Sequence, residues 1–177
     1  YLAATYALRP APFVLGIVFA LAGLVLSLVF VRDSREHARH EARVHAGNSH
    51  GDSPSFGAVF RVTSWGDRAL FATSQAGLVN NLNDGLAWGL FPIFFAAHGA
   101  SLREIGWLAA IYPGVWGLGQ LATGALSDRT GRKPLIAAGM WVQAAGLVVV
   151  LLGDGFRWWT AGAVLLGAGT AMVYPPL

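Results

Sequence analysis

Apolar and polar residues alternate along this chain in long blocks, not in the short periods of a soluble domain. Ala11–Val31 is an uncharged run of 21 residues whose one polar side chain is Ser27. As a helix it measures about 31 Å, the thickness of a bilayer's hydrocarbon core. Four more long apolar runs follow: Ala69–Ala97, Leu102–Leu126, Pro134–Leu152 and a last one opening near Trp158. The pattern predicts five membrane-crossing helices and no strands, an all-α polytopic bundle. Ala69–Ala97 is expected to be interrupted at Asn80-Asn81-Leu82-Asn83-Asp84-Gly85 and bent at Pro92.

The polar blocks between these runs differ in kind. Residues 1–9 read as a helix tail and short loop, closed by Arg9-Pro10. Arg32 to Arg68 is long and hydrophilic: interleaved charges up to Arg43, linker composition over Gly47–Pro54, then Phe56–Trp65 as a short interfacial helix with aromatic anchors. Ser101 and Glu104 have capping-box spacing for the helix that follows. That helix carries Pro113 and the small residues Gly106, Ala109, Ala110, Gly114, Gly117 and Gly119, which suit close packing in lipid. Trp158 and Trp159 fit an interfacial aromatic belt, and Gly162, Gly167 and Gly169 lie in the last helix. Gly124 to Leu135 is a charge-dense turn in which Asp128 ends one helix, Gly131 takes a positive φ and Pro134 enters the first turn of the next. The two spans it joins are expected to form an adjacent antiparallel pair.

Composition supports the membrane assignment. The 177 residues are 55% hydrophobic and only 12% charged, against about 25% charged in soluble domains. The net charge of +3 raises nucleic-acid binding as a possibility, but topology accounts for the cations better. Arg32, Arg35, Arg39, Arg43, Arg61, Arg68, Arg129, Arg132 and Lys133 fall on one predicted side, and only Arg9, Arg103 and Arg157 on the other. Nine against three puts residues 32–68 and 127–133 in the cytoplasm. There is no cysteine, hence no disulfide or thiolate metal site. His37, His40, His45 and His50 match no regular ligand spacing, so a solvated linker is expected in place of a metal centre. Tyr1 is not a start methionine and Met172–Leu177 sits in an apolar run, so the chain is expected to be a piece of a longer polypeptide.

The turn Gly-Ala-Leu-Ser-Asp-Arg-Thr-Gly-Arg-Lys resembles the signature loop of the major facilitator superfamily, with Gly124, Asp128, Arg129, Gly131, Arg132 and Lys133 at its fixed positions. The resemblance implies a twelve-helix fold of two six-helix halves joined by a cytoplasmic linker. On that frame residues 1–31 hold the end of the first half with helix 6, 32–68 the central linker, and 69–177 helices 7 to 10 of a second half whose last helices are missing. It further implies a plasma (inner) membrane transporter, monomeric at full length and without cofactor, in which helices 7, 8 and 10 line the substrate path, 6 and 9 are peripheral, and the signature residues gate the cytoplasmic face.

Candidate chemistry is concentrated in the spans. Asp84 is the only carboxylate well inside one, where a charge is costly and usually faces a cavity. It is a candidate for proton or cation coupling, or alternatively an acid held neutral by Asn80, Asn81 or another helix. Asn80, Asp84 and Trp88 share one helical face. Tyr112, Trp116 and Gln120 share a face of the adjacent span and suit either substrate contact or helix packing. Asn80, Asn81, Trp88, Tyr112, Trp116 and Gln120 are therefore the candidate cavity residues. Gln143 suggests packing, and Tyr174 a path-lining position. Paired catalytic carboxylates, a His cluster or an activated nucleophile near the interface are not apparent, which argues against a membrane enzyme. The leading expectation is alternating-access transport of a small solute, driven by a proton gradient with Asp84 as the titrating group; a transporter-like receptor or assembly protein that has lost transport is the alternative.

Overall fold

The computed structural model describes residues 11–30 and 55–175, and every element among them is helical. The N-terminal tail, the linker up to Pro54 with its four histidines, and Pro176 lie outside the described residues. The chain divides into two units, residues 1–59 and 60–177.

In the first unit, α1 (Ala11–Phe30) is apolar on all sides, and its described side chains are exposed, Leu28 by 76%. A helix with no polar face belongs in lipid or against other apolar helices. The short α2 (Phe56–Arg61) ends in the second unit, which opens with a π-helical turn at Val62–Gly66, where Phe60 and Trp65 meet edge to face at 5.8 Å.

The second unit is a helix bundle. Its first long helix is α3 (Arg68–Gly85), capped by Asp67, whose side chain accepts from the Ala69 and Leu70 amides at 2.8 and 2.9 Å. That cap satisfies two of the orphan donors at a helix start. Contrary to the sequence expectation, α3 runs unbroken through Asn80–Gly85. The interruption is a π-helical turn at Leu86–Leu90, closed by the Phe91 amide on the Leu86 carbonyl, after which α4 (Phe91–Ala97) continues. Pro92 explains the location. Its ring has no N–H and would crowd the carbonyl four residues back, and the wider turn just before it relieves that conflict.

The capping box at Ser101–Glu104 forms as expected and starts α5 (Leu102–Thr130), which passes through Pro113 without breaking. Two expectations about the signature turn need correction. Asp128 does not end α5; the helix holds Asp128, Arg129 and Thr130, and α6 (Arg132–Leu152) starts at Arg132. The turn is thus the single residue Gly131, at φ 84° and ψ 155°, a backbone region open almost only to glycine. Second, α5 and α6 scarcely touch. Both pack instead against α7 (Phe156–Val173).

Glycine explains that preference. A Cβ on Gly146 would stand 2.9 Å from the Leu166 amide nitrogen and 3.0 Å from the Gly162 carbonyl; one on Gly139 would stand 2.8 Å from the Gly169 carbonyl. Gly167 brings α7 equally close to the Tyr112 carbonyl of α5. On α5, Gly114 and Gly117 have open space around them, while Gly119 is tight, against Ala171. The close-packing surfaces are therefore those of α7, against α6 above all and against α5 at Gly167 and Gly119. Without a hydrophobic driving force between helices in lipid, such backbone approach supplies much of the association.

The partners along each helix give its direction. Gly139 meets Gly169 and Val173 while Val150 lies by Gly162, so α6 and α7 are antiparallel; Tyr112 lies by Gly167 and Thr123 by Ala171, so α5 and α7 are parallel. Asp84 lies by Tyr174 and Phe95 by Trp159, so α3–α4 runs against α7. Arg68 and the Gly131 turn thus share one end of the bundle, and the turns at Gly99 and Gly155 share the other. Near that second end Phe95, Leu108, Val150 and Trp159 form a core cluster. Trp159 is only 3% exposed and packs at 5.0 Å on Phe95; it is a core residue, not the interfacial one its sequence neighbourhood suggests, while Trp158 is 57% exposed.

Because the α6–α7 contact leaves no room for a side chain, Gly146→Val should destabilise the full-length protein by about 1–3 kcal/mol. Gly114→Ala, in open space, should be neutral or slightly stabilising. Thermal unfolding of the detergent-solubilised proteins checks both.

Candidate functional site

Where α3, α5, α6 and α7 converge, an otherwise apolar bundle gathers its polar side chains. From α3 come Asn80, Asn83 and Asp84. Offsets of three and four residues put them on one helical face, the face turned to α5, α6 and α7. Asn80 and Gln143 are almost completely buried, at 0% and 1% exposure.

Two linked clusters result. In the first, Asn83 donates its side-chain amide to Gln143 Oε1, and Gln143 Nε2 donates to Asn80 Oδ1 at 2.6 Å. One glutamine on α6 thus bridges two asparagines on α3. In the second, both oxygens of Asp84 accept from phenols: Oδ1 from Tyr112 on α5, Oδ2 from Tyr174 just beyond α7 at 3.0 Å. The Tyr112 hydroxyl also lies 3.2 Å from Thr170 Oγ1 on α7, and the Tyr174 hydroxyl 3.2 Å from Asn81 Oδ1.

Aromatic rings wall this acid. Trp116 stacks on Tyr174 at 5.1 Å and on Tyr112 at 6.4 Å, while Trp88 meets Tyr112 edge-on at 6.0 Å. The Trp116 Nε1 is buried and has no hydrogen-bond partner among the described residues. No Arg, Lys or His among the described residues hydrogen-bonds to Asp84; two neutral hydroxyls stand where a counter-cation could have been. Hydrogen bonds to the charged form are one of the ways a protein tolerates a carboxylate in low dielectric.

The structure brings most of the sequence candidates together: Asn80, Asn81, Asp84, Trp88, Tyr112, Trp116 and Tyr174 occupy one region. Gln120 is half-buried on α5 and makes no hydrogen bond to the cluster. Gly124 has open space about it, and Asp128, Arg129, Arg132 and Lys133 are exposed at the Gly131 end, away from the acid. Sequence reasoning did not find Asn83 or Thr170. Asn83 could have been found from its helical offset of three residues from Asn80; Thr170, in an apolar run, gave no comparable signal.

The model of the Major Facilitator Superfamily matches residues 73–177, which contain the polar clusters and the Gly131 turn. The chain belongs to the Major Facilitator Superfamily. It is 36% identical over 109 residues to the inner membrane transport protein YajR of Escherichia coli K12, covering 62% of this chain and 23% of that protein. It is 34% identical over 97 residues to the multidrug resistance protein MdtH of Yersinia pestis Pestoides F, covering 50% of this chain and 24% of the relative, with the same values for MdtH of Yersinia pseudotuberculosis IP 31758. The chain thus spans about a quarter of the length of these relatives. No solved structure matches it.

The amide bridge makes a stability prediction. Gln143→Leu leaves Asn80 and Asn83 without their partner and should cost about 1–3 kcal/mol for each orphaned group. Replacing Asn80, Asn83 and Gln143 together by leucine should restore most of that loss, since no polar group is left unpaired. Unfolding midpoints of the single and triple variants of the full-length protein measure the difference.

Proposed function

We propose that the full-length protein is a secondary transporter of the inner membrane that moves a small solute by alternating access and is coupled to protons through Asp84. Family membership and the names of the relatives support transport. The observation that carries the coupling is a carboxylate inside a helix bundle, held by phenols from two other segments and by no hydrogen-bonded cation among the described residues. An acid so placed can exist charged or neutral, and each state has its own solvation cost in the membrane.

On this reading residues 1–31 carry helix 6, 32–68 the cytoplasmic linker and 69–177 helices 7 to 10. The Arg68 end and the Gly131 turn then face the cytoplasm, in keeping with the excess of basic residues there. Trp88, Tyr112, Trp116 and Tyr174 offer ring faces, and Trp116 Nε1 a donor, to a solute that reaches Asp84. Asp128 and the cations around Gly131 serve as gating contacts at the cytoplasmic face, with partners supplied by the rest of the protein. Because relatives are named multidrug resistance proteins, lipophilic dyes are the first solutes to test.

In proteoliposomes of the full-length protein, an imposed pH gradient should drive ethidium or another lipophilic dye across the membrane. Asp84→Asn should reduce that flux to background, and undiminished coupling in the variant would remove Asp84 as the carrier. Absence of solute flux in wild-type vesicles across a broad panel would favour a receptor that has lost transport. Asp128→Asn should lower the rate by about tenfold or more while protein abundance stays near wild type; wild-type turnover would contradict the gating role.

A further inference from the structure

Asp84 has two tyrosine partners, and each tyrosine has a second oxygen within reach on its far side. Tyr112 lies between Asp84 Oδ1 and Thr170 Oγ1, and Tyr174 lies between Asp84 Oδ2 and Asn81 Oδ1. We propose that Thr170 and Asn81 are positioning residues that let these tyrosines serve both protonation states of Asp84 by reversing a hydrogen bond, without moving a heavy atom. The inference rests on the reading of Asp84 as the proton carrier.

The bookkeeping of protons is simple. When Asp84 is ionised it can only accept, so both phenols donate to it, and Thr170 can donate to the Tyr112 oxygen. When Asp84 binds a proton, that O–H becomes a donor and one tyrosine must accept it. The tyrosine's own hydrogen then needs a new acceptor, which is Thr170 Oγ1 for Tyr112 or Asn81 Oδ1 for Tyr174. The threonine hydrogen turns to the carbonyl one turn earlier in its helix, a bond that helical threonines commonly make. The added proton stays on Asp84, and only hydroxyl rotors turn.

Burial makes the second oxygen matter most at Thr170, since Asn81 is exposed and Tyr174 only partly buried. Thr170 is 0% exposed and Tyr112 3%, so a displaced phenol hydrogen there has no water to turn to. An orphaned buried donor is costly, whereas an acceptor with one unused lone pair is cheaper. The groups around the acid from each packed element are Asn80, Asn81 and Asn83 on α3, Tyr112 on α5, Gln143 on α6, and Thr170 and Tyr174 at the end of α7. The tyrosines are the titratable members, and no Arg, Lys or His among the described residues hydrogen-bonds to the acid.

The second oxygens and the phenols therefore have opposite effects. Removing Thr170 and Asn81 penalises the neutral acid; removing a phenol penalises the carboxylate, while the neutral acid keeps the other tyrosine. The test needs no substrate, because the probe is the proton. Infrared pH titration of the full-length protein in liposomes follows the carboxyl band of Asp84, assigned by its loss in Asp84→Asn. In the double variant Asn81→Val/Thr170→Val the band's midpoint should fall by about one pH unit, tenfold in proton affinity; in Tyr112→Phe it should rise by about as much. Thr170→Ser, which keeps the hydroxyl, should titrate as wild type and guards against a packing effect. A wild-type midpoint in the double variant, or a shift in the same direction as Tyr112→Phe, overturns the inference and leaves proton coupling standing. A wild-type protein with no band that Asp84→Asn removes overturns the coupling and this inference with it.

Discussion

A polar group on a membrane helix has no water to fall back on, and that constraint organises this bundle. Most of the amide, hydroxyl and carboxylate groups that α3 turns inward find a partner on another helix, the buried Asn80 Nδ2 excepted. Asn80 and Asn83 find theirs in Gln143, and Asp84 in Tyr112 and Tyr174. These bonds tie α3 to α5, α6 and the end of α7 at a defined register, because a shift of one helical turn would unpair several groups at once. Apolar packing between lipid-like surfaces has no comparable directional demand.

The glycines of α6 and α7 make those bonds reachable. Backbones that approach to within a missing Cβ at Gly139, Gly146, Gly162 and Gly169 bring Gln143 beside α7 and hold it toward α3. A Cβ on Gly169 would meet the Gln143 Cγ at 2.6 Å, so the glutamine that satisfies two asparagines lies directly on a glycine. The polar site and the small-residue contact are thus one construction: a larger residue at position 169 would displace the bridge as well as the helix.

Much of this was legible in the sequence, and the exceptions have physical causes. Helix number, the Ser101–Glu104 cap and the break at Gly131 follow from local chemistry: apolar run length, a side chain within reach of its own backbone, and a residue without Cβ. The error over Asn80–Gly85 came from treating polarity as a helix breaker. An asparagine breaks a helix in water by competing for its backbone; packed between helices, its amide bonds elsewhere and the helix continues. Adjacency was misjudged at α5 and α6 because a one-residue turn fixes what is consecutive and says little about what packs. Trp159 was misplaced for a related reason, since two neighbouring tryptophans on a helix point about 100° apart and cannot share one environment.

The second shell of the acid was the least legible part. Asp84 announces itself as the only inward carboxylate among the described residues, and Tyr112 by its place on a polar-aromatic face. Thr170 sits among glycine, alanine and valine, where a single hydroxyl is usually spent on its own helix. Its importance depends on α5 and α7 running parallel and close, with Gly167 against the Tyr112 carbonyl, so that a residue on one helix meets a phenol on the other. The hydrogen-bond chain is a property of the packing, and it puts the least polar-looking helix of the bundle in contact with its most polar group.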